Sequence, residues 1–263
     1  MPSASHGARV TSMNEQGEMR KALITIALMM ATLMASAQQY TGMEGLIHVP
    51  TADMDTVGLA RIGAQFIPKD MVPDAMTIDN HKFNTLTNYL SITPFRWIEL
   101  GYCYTLWKFH KNRDPKEEIG FFTKDRYFSV KIQPLREARW WPSVVVGGND
   151  VLSTRDDGTS GSMYMRNFYV AMSKHVTLPG VILGGHVAYR KWKRPYNHKW
   201  NGVVGGITLQ PEFYTPLRAM VEWDGSNVNF GMDCRLFHFL QVQCAIQDGS
   251  HFTGGLCLCI QLL

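Results

Sequence analysis

The sequence predicts an all-β fold: a transmembrane antiparallel up-and-down β-barrel of about 12 strands behind an N-terminal signal peptide. Three observations lead there. The last third of the chain is written in period two, the polar half of that alternation is unlike the wet face of a soluble sheet, and a secretory leader stands near the start.

From Leu217 onward the alternation is continuous. Leu217, Ala219, Val221 and Trp223 alternate with Arg218, Met220, Glu222 and Asp224, and Val228, Phe230, Met232 and Cys234 alternate with Asn229, Gly231, Asp233 and Arg235. Leu240, Val242, Cys244 and Ile246 interleave with Gln241, Gln243, Ala245 and Gln247; Phe252, Gly254, Leu256, Leu258, Ile260 and Leu262 follow suit. Successive side chains of a strand point to opposite faces, so each segment has one oily and one polar surface. A soluble sandwich carries Lys, Glu and Thr on its outer face. Here that face holds Gly, Gln, Asn and paired charges, which suits a narrow interior, and strands of roughly 9–11 residues match a tilted bilayer crossing.

Met19, Arg20 and Lys21 precede the uncharged run Ala22 to Met34 and the small residues Ala35-Ser36-Ala37. A basic start, an apolar stretch and a small-residue cleavage site in that order form a Sec signal peptide. We expect cleavage after Ala37, with Gln38 as the mature N-terminus and residues 1–18 arising from a start codon assigned too early. The organisation is then a leader at 1–37, a pre-barrel segment at 38–57 and a barrel at 58–263, exported to the outer membrane of a Gram-negative-type bacterium.

Earlier strands are read at Gly58 to Ile67, Asn84 to Ile92, Trp97 to Leu106, Arg126 to Gln133, Ser143 to Asn149, Met163 to Ser173, Val181 to Arg190 and Gly202 to Gln210. Twelve in total gives the even parity of a barrel with both termini on the periplasmic side. Long polar connections after odd strands alternate with shorter ones, most carrying Pro. Asp224-Gly225-Ser226 and Asp248-Gly249-Ser250 break the rule, since each is a tight Asp-Gly turn on the outer side. Either the rim is lowered there or the count is off by one hairpin. All seven tryptophans lie at or near strand ends, as in the aromatic girdles of a membrane barrel.

A net charge of +4 is mild and export makes nucleic acid an improbable partner. Cys103, Cys234 and Cys244 are read on apolar faces, and Cys257 and Cys259 lie two apart on one strand, where a bridge is geometrically disfavoured. Cysteine therefore acts as a small apolar filler, without disulfides or a metal.

Two phrases resemble a known family: GLIHVPTADMDTVGLARIG, from Gly45, and MVEWDGSNVNFGMD, from Met220. Gly45, Leu46, Pro50, Thr51, Ala52 and Gly58, then Glu222, Trp223, Asp224, Gly225, Asn229 and Gly231, are similar to the YjbH-like outer-membrane β-barrel family. The resemblance implies an exported barrel associated with exopolysaccharide production or secretion.

For chemistry, the phase of the strands turns Arg61, Gln65, Glu99, Lys131, His186, Arg190, Arg218, Glu222, Asp233 and Arg235 inward. They would line a selective pore or, as a twelve-stranded barrel favours, satisfy one another inside a plugged one. The segment from Thr41 to Val57 is either that plug or a brace for the first strand. The outer connection from Lys191 to Trp200 combines Lys191, Lys193, Arg194 and Lys199 with Trp192, Tyr196 and Trp200, a composition able to grip an anionic glycan by charge and ring stacking, or to meet lipid phosphates. Trp107 to Lys116 repeats it on the same side. Asp150, Asp156 and Asp157 with Ser153, Thr154 and Ser160 match no calcium loop, and no catalytic residue, nucleophile elbow, nucleotide motif or cofactor site is evident. The expected function is a non-enzymatic barrel assisting exopolysaccharide export or envelope assembly. Outer-membrane lipid, acidic polysaccharide or lipopolysaccharide, and periplasmic export proteins are its expected partners. The alternatives are a small passive pore and an outer-membrane lipid-modifying enzyme.

Overall fold

A computed structural model describes residues 39–152 and 164–262. The leader lies outside the described residues, as do Ser153, Thr154, Asp156, Asp157, Ser160 and the expected strand start at Met163. Twelve strands form: β1 (Leu59–Ile67), β2 (Thr85–Phe95), β3 (Ile98–His110), β4 (Ile119–Leu135), β5 (Ser143–Asn149), β6 (Asn167–Leu178), β7 (Val181–Trp192), β8 (Gly202–Pro211), β9 (Leu217–Trp223), β10 (Val228–Leu236), β11 (Leu240–Gln247) and β12 (His251–Gln261). Each pairs antiparallel with its neighbours in sequence, and β1 closes on β12 from Leu59↔Gln261 to Phe66↔Gly254. Closure gives every strand a partner on both sides, which hydrocarbon surroundings demand of a backbone. Both barrel termini lie at one end with the short turns; the longer connections lie at the other.

The period-two pattern dictates the two faces. Ile62, Val187, Ile207, Val221, Phe230 and Leu256 are exposed on the outside, while Arg61, His186, Thr208, Met220, Asn229 and Cys257, beside them in sequence, are buried within. So broad an apolar belt around a closed sheet is the surface of a membrane-spanning barrel. At the short-turn end Phe95, Trp97, Trp140, Trp141, Phe213 and Phe237 are exposed, as an interfacial girdle requires. Trp107, Trp192 and Trp200, however, are almost fully buried. Their rings turn inward and close the long-loop end, so the girdle reading is corrected for these three.

Three further differences have physical causes. The expected loop from Trp107 to Asp125 is instead a continuation of the β3–β4 hairpin, with His110 opposite Ile119. Its polar sequence reads as loop, yet the Lys108 ammonium sits over the rings of Phe83 and Phe121 at 5.0 and 5.3 Å, which supports sheet beyond the apolar belt. β6 runs past Ser173 to Leu178, because His175 is tied across to Glu137 rather than released into a turn. Cys103 faces inward, its thiol donating to the Thr41 carbonyl at 2.9 Å, not outward among apolar neighbours. All five cysteines are free.

The two Asp-Gly turns are resolved as a lowered rim. β9, β10 and β11 have 7, 9 and 8 residues, against 13 and 17 in β3 and β4. Gly225 has φ +103°, a conformation closed to most side chains, and Asp224 Oδ1 accepts the N–H groups of Ser226 and Asn227, both at 2.8 Å.

Candidate functional site

The lumen is occupied by the chain's own N-terminal segment. Residues 39–52 are buried at every position, so the segment that precedes β1 is a plug. Its last residues also brace the seam: Gly58 N–H reaches the Thr93 carbonyl and Leu262 N–H the Gly58 carbonyl, both at 2.8 Å. Gly45 and Pro50 bridge to each other, and Leu46 N–H donates to the Val49 carbonyl at 3.0 Å. That tight turn consumes some backbone groups and aims the next N–H groups at the wall.

Glu222 receives them. Its carboxylate accepts the N–H groups of Ile47 at 3.0 Å, His48 at 2.9 Å and Val49 at 3.1 Å, and the Asn229 amide at 2.9 Å. Three successive N–H groups converging on an anion make a backbone nest, here filled by a side chain. Asn229 also donates to Asp224 at 3.1 Å. The two phrases singled out in the sequence are therefore halves of one contact: the Gly45–Pro50 turn docks on the hairpin that carries Glu222, Asp224 and Asn229. Arg190 completes the grip, donating to the carbonyls of His48 at 2.6 Å, Asp224 at 3.0 Å and Trp200 at 3.3 Å.

The remaining lumenal charges hold the plug's acidic residues. Arg61 pairs with Glu44 at 3.3 Å and with Asp55; Arg218 pairs with Glu44 at 3.2 Å and with Asp233 at 3.3 Å. Lys131 pairs with Glu99 at 3.1 Å and donates to the Glu44 and Asp53 carbonyls at 2.8 and 2.7 Å, while Glu99 accepts the Glu44 N–H at 2.8 Å. Gln65 donates to Thr253 at 3.4 Å. Arg235 is buried near the short-turn end and has no ion pair among the described residues. Burial without partners would cost each of these ions several kcal/mol, so the pairing is what makes the interior tolerable.

Apolar contacts follow the same geometry. Leu46, Ile47, Val49 and Ala52 pack with Val145, Tyr169, Ala188, Val204, Met220 and Ala245. Inward glycines give them room: a Cβ on Gly206 would meet Leu46 at 2.5 Å, and one on Gly231 would meet Ile47 at 3.0 Å. At the long-loop end Met71, Val72 and Met76, from the β1–β2 connection, fold in against Trp107, Trp192 and Trp200. A cavity of about 10 Å³ lies there between Tyr40, His48, Trp107 and Trp200, room for about one water molecule.

The basic connection after β7 is divided. Lys191, Lys193 and Lys199 are exposed, Arg194 and Tyr196 are half-buried, and Trp192 and Trp200 are buried. The two indoles face the lumenal core, with ring centroids 5.6 Å apart, and offer no stacking face to a glycan. Their place in the ligand-gripping set is thus corrected; charge and Tyr196 remain.

His186 lies opposite Ser173 across β6–β7. Ser173 Oγ is 2.8 Å from His186 Nδ1 and accepts the Ala52 N–H at 2.8 Å; His186 Nε2 is 3.0 Å from Thr208 Oγ1. The Asp53 carboxylate approaches the same Nδ1 at 3.6 Å. Serine and carboxylate on one ring nitrogen are not the relay of a hydrolase, which places them on opposite nitrogens. Nearby, Glu137 accepts from His175 N–H at 2.8 Å and lies 2.7 Å from His175 Nδ1. Partial burial raises the Glu137 carboxyl, but the hydrogen bonds from His175 and Lys174 outweigh it and hold its pKa below the ordinary value. Glu44, Asp53, Asp55 and Glu137 escape a sequence reading because they lie outside the strands, where period two assigns no face, and His175 because the apolar alternation read from the sequence stops at Ser173 although β6 continues to Leu178.

No curated protein matches the chain. Among solved structures, outer membrane phospholipase A from Escherichia coli overlaps 79% of this chain and 98% of its own, at 10% identity and a TM-score of 0.35. A Salmonella typhi outer membrane phospholipase dimer with bound calcium overlaps 79% and 91%, at 10% identity and a TM-score of 0.33. Likeness that loose carries no argument. The family described as exopolysaccharide biosynthesis protein YbjH matches residues 37–184, more than half of the sequence and the whole of the described plug, and the chain belongs to this YjbH family.

Proposed function

We propose that this chain is a non-enzymatic outer-membrane barrel, exported by Sec, that assists exopolysaccharide export or envelope assembly as a closed scaffold rather than as an open pore. The observation that carries the closed state is the Glu222 nest, which fixes the plug backbone across the lumen. The family description supplies the polysaccharide. Acidic glycan or lipopolysaccharide meets the outer rim at Lys191, Lys193, Arg194, Tyr196 and Lys199, with Lys111, Arg113 and Lys116 exposed at the tip of the β3–β4 hairpin. Periplasmic export proteins meet the short-turn end.

The test is a strain lacking the chain, complemented with wild type or with Lys191, Lys193, Arg194 and Lys199 all changed to Gln. Released polysaccharide should fall in the deletion and return with wild type only, and purified Gln variant should lose salt-sensitive binding to acidic glycan. Undiminished polysaccharide in the deletion strain would sink the reading.

A further inference from the structure

Asp53, His175 and His186 bring one ligand atom each to within 4.8 Å of one another, the one such group of three among the described residues. Asp53 belongs to the segment leaving the plug; the histidines stand on β6 and β7 at the short-turn end. His175 Nε2 is 3.7 Å and His186 Nδ1 is 3.6 Å from the same carboxylate oxygen. Those separations are too long for hydrogen bonds. Around a zinc ion with bonds of about 2.0–2.1 Å, tetrahedral ligand atoms stand roughly 3.3–3.4 Å apart, so each histidine–carboxylate separation needs to contract by only a few tenths of an ångström, while the two ring nitrogens, within 4.8 Å of each other, close by up to about 1.4 Å through rotation of the partly exposed His175 ring.

The far side of each ring is already held. Glu137 lies 2.7 Å from His175 Nδ1, which leaves Nε2 facing the cluster, and Thr208 Oγ1 lies 3.0 Å from His186 Nε2, which leaves Nδ1 facing it. A carboxylate or hydroxyl behind a ligating imidazole sets both tautomer and orientation, the outer support that metal-binding histidines almost always have. The rings meet edge to face at 68°, with centroids 5.5 Å apart. Ser173 Oγ, 2.8 Å from His186 Nδ1, is the group an ion must displace from that lone pair. His186 is enclosed while the side chains of His175 and Asp53 are 33% and 18% exposed, so the cluster is open to solvent on one side.

We propose that Asp53, His175 and His186 form a divalent transition-metal site, of the kind that takes zinc, which pins the plug to the β6–β7 wall. Two imidazoles and one carboxylate select such an ion over calcium or magnesium, which take oxygen ligands. The solvent-facing side leaves a coordination position for water.

The test uses the full chain purified in detergent, stripped with EDTA and titrated calorimetrically with zinc chloride. Wild type should bind one ion per chain; Asp53→Asn and His175→Ala should weaken binding at least tenfold, and Glu137→Gln, which leaves all three ligands, should weaken it about tenfold. Zinc should also raise the temperature at which the band shifts on heating in gel electrophoresis for wild type, and leave Asp53→Asn unmoved. Absence of binding to wild type would overturn the proposal, as would unaltered binding to the ligand variants, which would place the ion at surface histidines. Should a ligand variant lose its folded band, Glu137→Gln decides: unchanged affinity there counts against the site.

Discussion

At the scale of single residues the interior turns on Glu222. Its carboxylate answers three plug N–H groups and Asn229 at once. Glu222→Ala leaves those donors buried without an acceptor, and should cost about 3 kcal/mol or more, read as a lower temperature for the electrophoretic shift on heating. Asp150, just past β5, gives a pH dependence. Burial first, then repulsion from Asp125, raises its carboxyl from 3.8 to about 7. The folded state therefore holds a proton that the unfolded chain releases, so this contribution is full below 3.8 and fades as pH rises to about 7. Asp150→Asn should flatten the stability profile across that window; an unchanged profile would count against it. Strand phase made the inward direction of Arg61, Glu99, Lys131, Arg218 and Glu222 legible in the sequence. Their partners Glu44 and Asp55 were not, because partner choice across a lumen depends on closure, which no local pattern encodes.

Among the elements, strands were legible wherever one face meets lipid. β5 and β11 begin and end where alternation does, because the contrast between the two solvents is abrupt there. The upper parts of β3 and β4 were not, since Lys108 and Lys124 take outward positions there and Phe121 and Phe122 are exposed side by side, so the period disappears. The outer face can be tested at Ile207, 61% exposed near the middle of β8. Ile207→Arg should cost roughly 2–4 kcal/mol in folding into lipid, and Phe213→Arg, in the short-turn connection, far less. The inner face can be tested at Gly231, where an added side chain meets Ile47. Gly231→Leu should destabilise by roughly 1–3 kcal/mol, and Ile47→Ala in the same chain should recover part of that loss. Equal costs with and without Ile47 would show that the crowding comes from elsewhere in the wall.

For the whole molecule, the decisive property is that barrel and plug are one chain. The segment that fills the lumen enters at the end where β1 begins, is gripped by charges from β1, β3, β4, β7 and β9, and is covered at the other end by the β1–β2 connection and three tryptophans. Twelve strands enclose too little space for both this filling and a wide aqueous path. The sequence left plug and brace open because residues 41–57 have no period; burial of their backbone inside a closed sheet decides it. A barrel filled in this way should be shut at rest. Current through purified wild-type protein in planar bilayers measures this directly. Wild type should show no steady channel, and openings should appear once Glu222→Ala loosens the plug; a steady, porin-like conductance in wild type would mean that the lumen is open.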